Sequence, residues 1–197
     1  MPDTPDVQPP AAFIAAVEAL RAASHRSELS LAEIPAPGGI APWSVAFSAD
    51  VHASAHEGDS SLGTGRFVLF HDPEEPDAWG GPFRVVCYAQ APLEAEIGVD
   101  PFLADVAWSW LVDALDSGGA DYTSASGTAT TTMSTGYGEL AANRDVAQLE
   151  LRASWSPSGL GLASHVEAWG ELLCMLAGLP PTAEGVSLLS ARRAGRE

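Results

Sequence analysis

The chain has 197 residues, 46% of them hydrophobic, which is enough for one domain with a real core and too much for a disordered protein. Acidic residues number 26 against nine basic ones, all of them arginine, for a formal net charge of −17. A chain this acidic repels phosphate backbones and has no basic cluster that could release counterions, which excludes nucleic-acid binding through a basic patch.

The first residues, MPDTPDVQPP, carry no positive charge beyond the amino terminus and lead into a short alanine-rich segment. No signal peptide and no membrane span are expected, and the location read from this is cytoplasmic. Residues 1–10 are expected to be disordered, 11–190 to form a single α+β domain, and 191–197 to be a flexible arginine-rich tail. Cys87 and Cys174 lie far apart in apolar patterns and read as buried thiols, not as a disulfide or a metal pair.

Pro9 and Pro10 introduce a helix over about 11–24, with Phe13, Ile14, Val17 and Leu20 as its apolar stripe. Residues 28–42 hold three prolines and two glycines and read as a connector, with Leu29, Leu31 and Ile34 as candidate anchors. Three strands follow, over 43–52, 66–70 and 83–99. In the third, every odd position from Phe83 to Val99 is apolar, so one face is buried and the other wet. Loops of ten or so residues join them, which suggests an antiparallel meander.

Asp100 reads as an N-cap and Pro101 as the first residue of a helix that runs to Asp116. Its polar residues Asp105, Ser109, Asp113 and Asp116 form one narrow strip, and apolar side chains cover the rest. Such a helix is expected to be buried on more than one side, against the sheet and either another helix or a second subunit. Threonines predict an exposed or edge strand over 127–135, and clean alternation predicts another over 146–155. Ser164 and Glu167 fit a capping box for a last helix, which Gly178, Pro180 and Pro181 stop. The fold class expected is a two-layer α+β structure: a five-stranded antiparallel sheet with helices on one face, in the order αβββαββα.

That element order resembles the fold of type III secretion chaperones, small acidic proteins that are usually dimers. At the level of residues, FRVVCYAQAPLEAEIGVDPFLADVAWSWL, ELRASWSP and HVEAWGELLCMLAGLPP resemble an uncharacterised actinobacterial family of this length, a domain of unknown function. The resemblance spans Trp43 to about Arg193, implies one intact domain, and brings no catalytic residue or cofactor with it.

Candidate chemistry is sparse. Gly58-Asp59-Ser60 matches an esterase block, but no buried strand precedes it and no Asp-x-x-His follows, so a flexible loop is the reading preferred. His52, His56, Glu57, Asp59, His71 and Asp72 are metal-capable, yet they lie where strands run into loops, and no metal site is assigned. GLGLAS gives half of a dinucleotide fingerprint, which the capping box explains without a cofactor. His165, in the first turn of the last helix, has no partner that would make it a general base.

Two functional readings remain. The first is a non-enzymatic protein-interaction protein, an adaptor or chaperone, expected to be a homodimer and to bind basic or partly unfolded protein segments through Trp79, Trp108, Trp110 and Leu111. The alternative is a small-molecule-binding protein or hydrolase that uses the outward sheet face, lined by Tyr88, Glu94, Glu96, Glu150 and Arg152. Neither needs a cofactor.

Overall fold

Period-two apolar patterns build the sheet and period-3.6 patterns build its cover. The computed structural model of the chain describes residues 8–53, 61–141, 146–159 and 161–180. The strands are β1 (Leu29–Ile34), β2 (Trp43–Val51), β3 (Gly63–His71), β4 (Phe83–Glu94), β5 (Tyr122–Ser134) and β6 (Val146–Pro157). The helices are α1 (Ala11–Arg21), a single turn α2 (Ala95–Gly98), α3 (Leu103–Ser117) and α4 (Leu162–Leu176). All strand pairs are antiparallel, in the order β1-β2-β3-β4-β6-β5.

One face of the sheet carries the core. Val45, Phe47, Phe67, Leu69, Val85, Cys87, Leu149, Leu151 and Trp155 all point to it and are buried. Helix α4 lies across the middle of this face, with α1 and α3 packed beside it. Gly65 in β3 permits that approach: a Cβ there would come within 2.8 Å of Trp169 and Leu173. Trp169 seats its ring 5.6 Å from Phe67 and donates its indole N–H to the Tyr88 carbonyl at 3.1 Å. Trp155, also wholly buried, donates to Nδ1 of His165 at 3.0 Å. Each ring of this size contributes about 2–3 kcal/mol by leaving water, and the bonded indoles avoid the cost of an unpaired donor.

The α+β class, the antiparallel sheet and the one-sided helices agree with the sequence. Four details differ. Among the described residues the sheet has six strands, not five, because the proline-rich connector contains β1, which pairs with β2 from Leu29↔Val51 to Ile34↔Ala46. The strand that starts at Phe83 ends at Glu94, and residues 95–98 turn into α2, so the order becomes αββββααββα. Helix α3 starts at Leu103, and Asp100, two residues before the N-cap position Phe102, accepts the Phe102 N–H on its Oδ1 at 2.9 Å. It buries one stripe (Leu103, Ala107, Leu111, Ala114, Leu115), not several sides.

The capping box at α4 does not form. Ser164 Oγ donates to the Gly161 carbonyl at 2.7 Å, and Glu167 reaches across to accept the Ser24 N–H at 2.8 Å. No helix among the described residues is long and apolar enough to cross a membrane.

Candidate functional site

Three surfaces could carry function, and the first is the outer face of the sheet. Antiparallel register sets Tyr88 opposite Arg152 and Gln90 opposite Glu150. Arg152 Nε pairs with Glu150 Oε1 at 2.8 Å, and its guanidinium lies 5.7 Å from the centre of the Tyr88 ring. The Tyr88 hydroxyl donates to Gln90 and lies 3.2 Å from Glu150 Oε2. Burial and the neighbouring Glu150 carboxylate raise the Tyr88 pKa. These side chains satisfy one another across a flat surface. Glu94 and Glu96 are not part of the group, since Glu94 is at the far end of β4 opposite Val146 and Glu96 has left the strand in α2.

The second surface is a groove of about 1020 Å³ between α3, α4 and the segment after α1, with Trp110, Leu29, Met175 and Leu179 among its walls. Its polar residues mostly hold the chain in place. Arg26 bonds the Pro180 carbonyl at 2.7 Å and Glu28 at 2.9 Å, which lowers the Glu28 pKa to about 2. His25 Nδ1 is buried there without a hydrogen-bond partner, and burial lowers its pKa.

The third surface is the end of the sheet where β4 and β5 finish and β6 begins, together with the open edge of β5. Gly98 lets α2 press onto this end, since a Cβ would collide with Ala147 and Met133. The turn that follows leaves Val99 and Phe102 in solvent, Phe102 at 67% exposure. Ile97, Val106, Met133, Leu140 and Val146, in α2, α3 and the ends of the last two strands, are exposed as well, and Tyr137 is 80% exposed. Glu94, Glu96, Asp100, Asp105 and Glu139 ring the same stretches. The sequence of 94–106 and 133–146 holds six carboxylates, one arginine (Arg144) and no histidine. Exposed apolar residues accompanied mainly by carboxylates are the composition of a docking surface.

The tryptophan set is not brought together. Trp79 folds back over the outer face, 6.4 Å from Phe70, and its carbonyl accepts from Ser156 Oγ at 2.6 Å. Trp108 lies against Gly127 of β5, Trp110 lines the groove, and Leu111 is 1% exposed inside the core, so it presents nothing to a partner. Reading Ile97 and Val99 as inward strand residues hid the apolar end. The Val99-Asp100-Pro101 break was the available sign that the strand had already stopped.

His52 and His71 do not converge: β2 and β3 pair Val51 with Gly63 and Trp43 with His71, placing the two histidines at opposite ends of the hairpin. His71 is instead packed against Phe13, Trp43 and Phe83 and bonds the Pro82 carbonyl at 3.1 Å. His56, Glu57 and the Gly58-Asp59-Ser60 block lie outside the described residues, as does the tail 191–197. His165 is a packed acceptor for Trp155, with its pKa lowered by burial to about 4.

No curated protein and no solved structure matches the sequence. A family model does match, over residues 9–187, and is described as a protein of unknown function, DUF3000. The match takes in nearly the whole chain, and the protein belongs to the DUF3000 family.

Proposed function

We propose that this protein is a non-enzymatic interaction protein, an adaptor or chaperone, that holds an apolar and basic segment of another polypeptide on the sheet end formed by residues 97–106 and 133–141 and by Val146. The observation that carries this reading is the exposure of Val99, Phe102, Tyr137 and Leu140 in stretches that also hold Glu94, Glu96, Asp100, Asp105 and Glu139. Apolar contact supplies the affinity, and the acidic rim selects basic flanks and speeds encounter. The thiols suit a cytoplasmic location, because burial pushes Cys87 up to about 12 and Cys174 up to about 11 and keeps both from reacting. The alternative, a ligand site on the outer sheet face, has less support, since Tyr88, Gln90, Glu150 and Arg152 already satisfy each other.

The test is fluorescence anisotropy with synthetic peptides that share a Leu/Phe core and carry either arginine or glutamate flanks. The arginine peptide is expected to bind in the micromolar range and to weaken with salt, the glutamate peptide at least tenfold less tightly. Phe102→Ser with Tyr137→Ser is expected to cost a further tenfold. Equal binding of the two peptides, or full binding by the double variant, overturns the reading.

A further inference from the structure

The groove between α3, α4 and the segment after α1 is also where the described chain ends. Pro180 forms part of its wall, and Arg26 Nη1 holds the Pro180 carbonyl at 2.7 Å, so the residues that follow leave from the groove itself. Leu29, Trp110, Met175 and Leu179 give it an apolar wall. Its carboxylates, Asp113, Glu167 and Glu171, outnumber the one guanidinium of the lining, Arg26, which is already bonded to Glu28. Among the described residues His25 Nδ1 is buried here without a hydrogen-bond partner, as in a wall that a further polar group completes.

Residues 181–197 lie outside the described residues, and their sequence carries the complementary chemistry. The run from Val186 to Arg196, VSLLSARRAGR, holds three of the chain's nine arginines, three large apolar side chains and no acidic residue. No other stretch of eleven residues in the chain has as many arginines. We infer that residues 186–193 occupy this groove of their own chain, with Leu188 and Leu189 on its apolar wall and Arg192 and Arg193 toward its carboxylates.

Reach, charge and size select this occupant. Residues 181–185 let Val186 lie up to about 20 Å from Pro180, which keeps the segment within reach of the whole groove. A tether this short supplies an effective concentration in the millimolar range, so a contact too weak to hold a separate peptide forms within the chain. A second copy brings a further net charge of −17 to an acidic groove, whereas the segment brings the positive charge that the lining lacks. A groove of about 1020 Å³ stands at the upper end of small-molecule pockets and has room for a run of side chains. The sheet end of residues 97–106 is not part of this contact, so the inference does not rest on the peptide-binding reading.

Trypsin cleavage of the full chain after Arg192 and Arg193, followed by mass spectrometry, tests this, because the rate tracks the fraction of time the segment is released. Wild type is expected to be cut there at least tenfold more slowly than a synthetic peptide of residues 181–197. Leu188→Ser with Leu189→Ser, which removes the apolar contact, is expected to restore the peptide's rate. Asp113 is exposed on the groove wall, so Asp113→Arg is expected to keep the fold by circular dichroism and to speed cleavage several-fold. Phe102→Ser with Tyr137→Ser is expected to leave the rate unchanged. Cleavage of wild type at the peptide's rate overturns the inference. Protection that Asp113→Arg leaves intact, or that Phe102→Ser with Tyr137→Ser abolishes, overturns it too. Protection that falls on dilution marks a segment exchanged between two copies and also overturns it.

Discussion

The two edges of the sheet are built on opposite rules. At β1 the strand is short, Glu33 is held by Arg21 through bonds of 2.8 and 3.0 Å, and Pro35 ends it. Leu29 is tucked against α4, where a Cβ on Gly170 would be 3.0 Å from its Cδ2. Charge, proline and short length are the devices by which sheet edges refuse further strands. At β5 none of them is used along 13 residues. One edge is closed by its sequence and the other is left open, and the exposed apolar end lies beside the open one. The difference favours the β5 side for the proposed interaction and the β1 side for stability.

If that division holds, damage to the closed side unfolds the protein and damage to the open side alters only association. The largest effect is expected at Leu20, which is 1% exposed in α1. Leu20→Ala is expected to cost about 3–4 kcal/mol in urea unfolding, as full burial and a residual cavity dictate, and to leave the oligomeric mass unchanged. A change in mass with little loss of stability would reverse the division of the two sides.

Acid is expected to act on the folded core and not on the β5 edge. His25, His71 and His165 all have pKa values lowered by burial, and β5 holds no group that titrates in the acid range. His165 titrates near 4 when folded, against about 6.5 in the open chain, so between those values the unfolded chain takes up a proton that the folded chain refuses. Its contribution is complete above pH 6.5, falls as pH drops, and is gone by about pH 4. A shift of this size corresponds to about 3 kcal/mol. His165→Gln keeps an acceptor for Trp155 and is expected to flatten that part of the pH profile, measured as unfolding midpoints from pH 7 to 4. An unchanged slope would show that other groups control it.

How much of this was legible in the sequence depends on how each residue's environment arises. Strands β2, β3, β4 and β6 bury one face against α4, and alternation records that directly, as in Val85, Cys87, Ala89 and Ala91. Strand β1 fully buries only Leu29, so its pattern is too weak to stand out among Pro35, Pro37, Gly38 and Gly39. The Ser164–Glu167 spacing was a sound local signal, overruled because Glu167 serves the Ser24 N–H from a segment 143 residues away. The exposed apolar end was invisible for a related reason. Phe102 and Tyr137 belong to different stretches that meet only because α2 folds onto the ends of β5 and β6. The uncharged run in β5 was legible as an edge, and its length was not, since its register with β6 extends through the bulge to Tyr122.

On the open side, Arg84 is the residue that anchors the start of β5. It donates to the Ser124 carbonyl at 3.1 Å and to the hydroxyls of Ser156 and Ser154 at 3.0 and 2.6 Å. Ser124 has φ +54°, a left-handed conformation that a serine adopts at some cost, and the bond from Arg84 holds it at the bulge. Arg84→Met is expected to lower stability by about 1–2 kcal/mol and to raise amide exchange in residues 122–126 before any other strand. Uniform protection along β5 would show that the bulge is stable without its arginine.

The smallest effect is expected where the closed edge is most visibly decorated. The Arg21–Glu33 pair has good bidentate geometry, and it raises the arginine's pKa and lowers the glutamate's. Both side chains are exposed, at 56% and 42%, so water screens the pair and each side chain gives up freedom to make it. Arg21→Ala is therefore expected to leave the melting midpoint within a degree of wild type and the light-scattering mass unchanged. Its role at β1 is exclusion, which Glu33 and Pro35 maintain without it. Removing all three by Arg21→Ala, Glu33→Thr and Pro35→Thr is expected to open a second edge, seen as concentration-dependent growth in mass over wild type. If the triple variant stays the same size, the short length of β1 is what closes that edge, and charge and proline there are incidental.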